Sequence, residues 1–149
     1  ILSFFAINPS ATLQSGIIWS NIQNLPVTNL DADGNNAGAG GGTQYSLQVS
    51  PDSNLNVDFC IRGSGDLISG VNSIPLNNYR WDSEINANTP GPQLANSVPM
   101  TTTFVKASLS IPPSLSDFYR FWLSITGGQP AGTYSNTITF KGVAAGNVC

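Results

Sequence analysis

The stretch Tyr119-Arg120-Phe121-Trp122-Leu123-Ser124-Ile125 decides the fold class. Tyr119, Phe121, Leu123 and Ile125 alternate with Arg120, Trp122 and Ser124, the period of two that turns one face of a strand to a core and the other to water. The alternation recurs in Tyr45, Leu47 and Val49, in Leu55, Val57, Phe59 and Ile61, in Val105, Ala107, Leu109 and Ile111, and in Tyr134, Ile138 and Phe140. Turn signals separate these runs: Ser50-Pro51-Asp52, Gly63-Ser64-Gly65, Pro90-Gly91-Pro92, Pro112-Pro113 and Gly127-Gly128. No stretch carries a capped helical stripe; the best candidate, Ser114 to Phe118, is one turn long. Strands are expected at about 1–8, 12–22, 43–50, 54–62, 74–82, 98–111, 117–126 and 132–143, with a loop at Gly34 to Gly42 (GNNAGAGGG). Many short strands with Gly/Pro punctuation predict an all-β chain, a single immunoglobulin-like or jelly-roll-like β-sandwich.

The bulk numbers narrow the function. A chain of 149 residues is one domain with room for a single core. Charged residues make up 9 %, against roughly a quarter in ordinary domains, so Asn, Ser, Thr, Gln and Gly must carry the polar surface. A net charge of -3 and five scattered basic residues argue against a nucleic-acid partner, because neutralising phosphates takes clustered Lys and Arg. No apolar run approaches the ~20 residues of a membrane span. Without an initiator Met, the chain reads as a mature product, extracellular or on the cell surface after removal of a signal peptide.

The leading nonapeptide ILSFFAINP has apolar side chains on both faces of an extended strand. Ile1, Phe5 and Ile7 fall on one side, Leu2, Phe4 and Ala6 on the other, and Pro9 ends the run. Exposed, such a segment is an aggregation hazard. It is either the first strand of its own sandwich, buried between the sheets, or a donor that fills a vacant strand position in a neighbouring copy. The second arrangement is head-to-tail and propagates into a filament.

Catalytic signals are weak. The chain has no histidine, which removes Ser-His triads, Cys-His pairs and most zinc sites. Asp82 and Glu84, two apart at a strand end, read as surface carboxylates. No cofactor is expected apart from one candidate cation: DADGNN places Asp31, Asp33 and Asn35 at positions 1, 3 and 5 of a calcium-type loop. Asn36 stands where such loops carry glycine and Gly42 where they carry glutamate, and a solvated Asx-rich turn explains the same residues. Trp19, Trp81 and Trp122, with Tyr79, are candidates for a sugar-stacking platform or a subunit contact. Trp122 should lie on the outward face of its strand, where an apolar patch signals interaction. Cys60 and Cys149 suit an oxidising compartment; they form one internal disulfide, a bridge between subunits, or remain free.

The ending FYRFWLSITGGQPAGTYSNTITFKGV, with its W-L-x-I strand, P-A-G-T-Y loop and T-I-T-F strand, resembles the last β-hairpin of many prokaryotic surface β-sandwich modules. The stretch NLNVDFCIRG and the following NSIPLNNYRW look like the middle strands of small secreted archaeal surface proteins. The whole is similar to subunits of archaeal surface threads and bundling pili, and to bacterial TasA-like fibres. That resemblance implies a homopolymer whose N-terminal segment, Ile1, Leu2, Phe4, Phe5 and Ile7, inserts into the next subunit, with residues 10–149 as the β-sandwich domain. The alternatives are a monomeric adhesin or carbohydrate-binding module that uses surface glycans as partners, and a tile in a sheath or S-layer.

Overall fold

The structure, a computed structural model, describes residues 2–35, 43–85 and 91–149. Its elements, in chain order, are β1 (Ile7–Pro9), a helical turn α1 (Ala11–Gln14), β2 (Val27–Asp31), β3 (Tyr45–Val49), β4 (Val57–Gly63), β5 (Leu67–Ser69), β6 (Asn72–Ile74), β7 (Tyr79–Glu84), β8 (Val98–Pro99), β9 (Val105–Lys106), β10 (Ser116–Ile125) and β11 (Ile138–Ala144). The chain is an all-β sandwich of antiparallel sheets. The larger sheet runs β1-β3-β10-β7-β8, with β2 also on β10, and the smaller runs β11-β4-β9. A β5–β6 hairpin stands apart from both.

β10 is the spine, and the alternation read from its sequence holds. Tyr119, Phe121, Leu123 and Ile125 are buried in one core with Tyr45, Leu47 and Val49 of β3 and Tyr79 and Trp81 of β7 in the same sheet, and with Val57, Phe59 and Ile61 of β4 from the other. Each such side chain is worth roughly 1.5–3 kcal/mol of transfer free energy, which makes this stripe the main source of stability. Phe121 sits at its centre, edge-on to Tyr45 and Tyr79 and stacked on Tyr119.

Long β10 is shared. Ser116 to Tyr119 pair with β3, Trp122 to Ile125 pair with β2, and β7 covers Phe118 to Leu123. Because β7 overlaps both other pairings, β3 and β2 must lie end to end along the opposite edge of β10.

The strands expected at 12–22 and 98–111 come out differently. Residues 12–22 form no strand: Ser10 Oγ accepts from Leu13 N and caps α1, and Gly16 and Asn21 take φ of 104° and 57°, outside the extended range of a regular strand. The strand of this region is β2, further along the chain. The expected 98–111 strand splits, because β8 pairs with β7 in one sheet and β9 with β4 in the other, so the chain crosses between them at buried Met100. Ser114 has φ 76°, which excludes a helical turn there, and the backbone enters β10 instead. Of the expected Gly34 to Gly42 loop, residues 36–42 lie outside the described residues.

Candidate assembly surface

The leading segment docks on its own domain. Asn54 brackets Phe4, accepting from Phe4 N at 2.9 Å and donating from its own backbone N to Phe4 O at 3.2 Å. Ala6 N donates to Ser53 Oγ (3.0 Å), Ser50 N donates to Ala6 O (2.8 Å), and Ile7 and Pro9 fall in register with Val49 and Leu47. Within one chain the segment is thus a marginal strand, neither projecting free nor enclosed between the sheets. Ile1 lies outside the described residues.

The two faces of the segment separate as the period of two requires. Phe5 and Ile7 turn inward against the core, while Leu2 and Phe4 are 80 % and 48 % exposed. The slot that receives the inward pair is floored by Gly142 of β11: a Cβ there would lie 2.6 Å from Ile7 Cδ1 and 3.0 Å from Phe5 Cε2. A Cβ there would have to displace the ends of both side chains from this seat. A glycine inside a β-run is the sequence signal that could have located this slot.

Beside the slot the sandwich stays open. A cleft of about 670 Å³ runs between β1–α1 and β11, lined by Ile7, Leu13, Ile17, Leu47, Ile138 and Phe140. It shares Ile17, Tyr79 and Asn136 with a neighbouring cleft of about 740 Å³, walled by Trp19, Leu67, Ile74 and Tyr134. Among the described residues β11 pairs with β4 alone, so its second edge borders this apolar flank. Periodicity marked Leu47, Ile138 and Phe140 only as core; their place at an open margin depends on how the two sheets are offset.

The tryptophans form no exposed shelf. Trp122 does point to the outer face of β10, yet it is only 3 % exposed, flanked in register by Asp31 of β2 and Arg80 of β7, with Nε1 donating to Asp31 Oδ1 at 2.9 Å. The expectation of an outward patch at Trp122 is therefore corrected. Trp81 is buried in the core, which removes it as a ligand contact. Trp19 is half-buried, edge-on to Tyr79, and donates to Leu30 O.

The calcium-type residues are used otherwise. Asn35, 1 % exposed, donates to Phe121 O (2.7 Å) and Asp31 Oδ1 (3.0 Å) and accepts from Phe121 N (3.0 Å). Its amide stands in for a strand residue in the interval on β10 between the β3 and β2 pairings. Asp33 turns to Ser20, accepting from its N at 3.2 Å and its Oγ at 2.5 Å. The three side chains do not converge on a cation. They close a seam, because Phe121's main chain must find partners there.

The C-terminal residues cross the outer face of the smaller sheet. Cys149 is joined to Cys60 of β4 by a disulfide, so the internal pairing is the one formed. Lys141 donates to Cys149 O, and Lys106 donates to Asn147 O (2.5 Å) and to Asp58 Oδ2 (2.6 Å). Burial alone would raise the Asp58 pKa, but Lys106 and the amides of Gly146 and Ser110 outweigh it and hold the carboxyl below its ordinary range. Asp82, on the outer face of β7, accepts from Gln93 N (2.7 Å), and its pKa is raised by burial. No helix among the described residues is long and apolar enough to cross a membrane. No family model, no curated protein and no solved structure matches the chain.

Proposed function

We propose that this chain is a structural subunit of an extracellular filament, in which the leading strand, docked in cis in a single chain, exchanges into the same slot of a neighbouring copy. The observation that supports the reading is the strand's marginal, two-faced seat. Phe5 and Ile7 occupy a slot floored by Gly142, while Leu2 and Phe4 are left to water. Slot contacts are the same in cis and in trans, so exchange sacrifices none of them. Burying Leu2 and Phe4 between packed copies adds roughly 1.5–3 kcal/mol for each ring or chain fully covered, which biases the balance toward the polymer. Each copy gives one strand and receives one, so the contact is heterologous and grows open-ended unless the rotation closes. The disulfide suits an oxidising location outside the cell. A sugar-binding module has less support, since three of its four candidate rings, Tyr79, Trp81 and Trp122, are buried.

A cis lock tests this. Asn8 and Gln48 face each other across β1 and β3, with Asn8 Nδ2 donating to Gln48 Oε1 at 3.3 Å. An oxidised Asn8→Cys/Gln48→Cys variant should stay monomeric by light scattering and negative-stain microscopy. Mild reduction, with wild type treated alike as control, should restore filaments. Filaments from the oxidised lock would instead mean assembly through fixed surfaces, as in a tile.

A further inference from the structure

Asp117 is the polar exception on the inner face of β10, fully buried in line with Tyr119, Phe121, Leu123 and Ile125. Its Oδ1 accepts one hydrogen bond, from Ser108 Oγ at 2.7 Å, and Ser83 Oγ lies 3.1 Å from Ser108 Oγ, completing a short hydroxyl relay across the sandwich. Among the described residues its Oδ2 meets no donor at close hydrogen-bond distance; the Tyr119 hydroxyl, also buried and without a close partner, reaches the carboxyl only as a longer, weaker donor. The charged groups acting on it are Asp82 and Glu84 of β7, both acidic; Arg120 lies on the opposite face of β10, in register with Asp82. A carboxylate with one close donor and, among the described residues, no cation acting on it is poorly placed in a dry core, whereas a carboxylic acid there loses little.

We propose that Asp117 makes this sandwich an acid-tightened fold, neutral and compact in mildly acidic surroundings and destabilised by its own buried charge at neutral and alkaline pH. This inference is independent of how copies assemble. Burial pushes the Asp117 carboxyl up to about 7, against the lowering effect of the Tyr119 and Ser108 hydroxyls and with a further push from Asp82 and Glu84. The sign follows from proton counting: between the ordinary carboxylate value and about 7, the folded chain holds a proton that the unfolded chain has released. Stability from this group is fully present below the unfolded value and is lost as pH rises through the folded one. Asp58 sets the acid limit, because its pKa is lowered and its contribution disappears as pH falls below the carboxylate range.

The test is denaturant unfolding of the full chain between pH 5 and pH 8. The folding equilibrium constant of wild type should rise on the order of a hundredfold from pH 8 to pH 5. Asp117→Asn should abolish that rise while being the more stable chain at pH 8. A wild-type profile flat across this range, or the same rise retained in Asp117→Asn, overturns the proposal. Should Asp117→Asn fail to fold, the carboxyl carbon resonance of Asp117 in wild type decides: titration near neutrality supports the proposal, and titration near pH 4 refutes it. Ser108→Ala, which removes the one close donor, should move that titration upward.

Discussion

Asn35→Ala should lower folding stability by about 1–3 kcal/mol, read from the urea midpoint at unchanged slope. The size comes from what the side chain replaces. Phe121 donates its N–H to Asn35 Oδ1 and accepts from Asn35 Nδ2, in a site excluded from water; truncation strands the Phe121 N–H, while Phe121 O keeps the Ala32 N–H at 3.0 Å. Each buried unsatisfied group costs ~1–3 kcal/mol. The loss also removes a donor from Asp31 Oδ1, which still holds Trp122 Nε1. Asn35→Asp should be worse, since it sets an anionic oxygen against Phe121 O. Neighbouring Gly34 cannot shift to compensate: its N donates to Tyr45 Oη, and a Cβ there would lie 2.5 Å from that ring. Millimolar calcium or a chelator should leave the melting temperature of wild type unchanged, because these oxygens are committed to the seam. A calcium-dependent rise in melting temperature would restore the cation reading, and an Asn35→Ala loss below about 1 kcal/mol would deny the seam its importance.

Cys149→Ser is the second large effect. The bond joins residues 89 apart, and loop-closure arithmetic for that length gives about 4–5 kcal/mol. At this chain size each kcal/mol moves the melting temperature by roughly 2–4 °C, so a fall of roughly 10–20 °C is expected. The unfolding slope should increase too, because the uncrosslinked denatured chain exposes more surface. The tail should loosen with it, since Lys106 and Lys141 bond to its carbonyls. Without reductant, wild type should run as a faster-migrating monomer on a denaturing gel. A covalent ladder there would show the bridge between subunits that the sequence also allowed.

The legibility of this chain follows a physical line. Alternation along β3, β4, β10 and β11 was readable because which face of a strand is apolar is a local property. The strand expected at 12–22 failed because Ile17, Trp19 and Ile22 keep their apolar contacts without a ladder. Periodicity reports burial and cannot report hydrogen bonding. Gly142 and Asn35 went unread for a related reason: a close approach or a surrogate strand residue is defined by its partner, and the partners lie far away in the chain. The inward carboxyl of Asp117 did sit in phase with its strand's apolar face, and that phase was an available signal.

The sequence by itself determined the all-β class, the inward stripe of β10, the alternating faces of the leading segment and the supply of two cysteines. Only the tertiary structure decided that Trp122 is covered, that Asn35 closes a seam, that the charges acting on Asp117 are both acidic, and that the leading strand rests at its own sheet's margin. The reason is range. Side-chain alternation is written in neighbouring residues, whereas Trp122 meets Asp31 across 91 positions and Asn35 meets Phe121 across 86. Such encounters exist only once the sheets have paired.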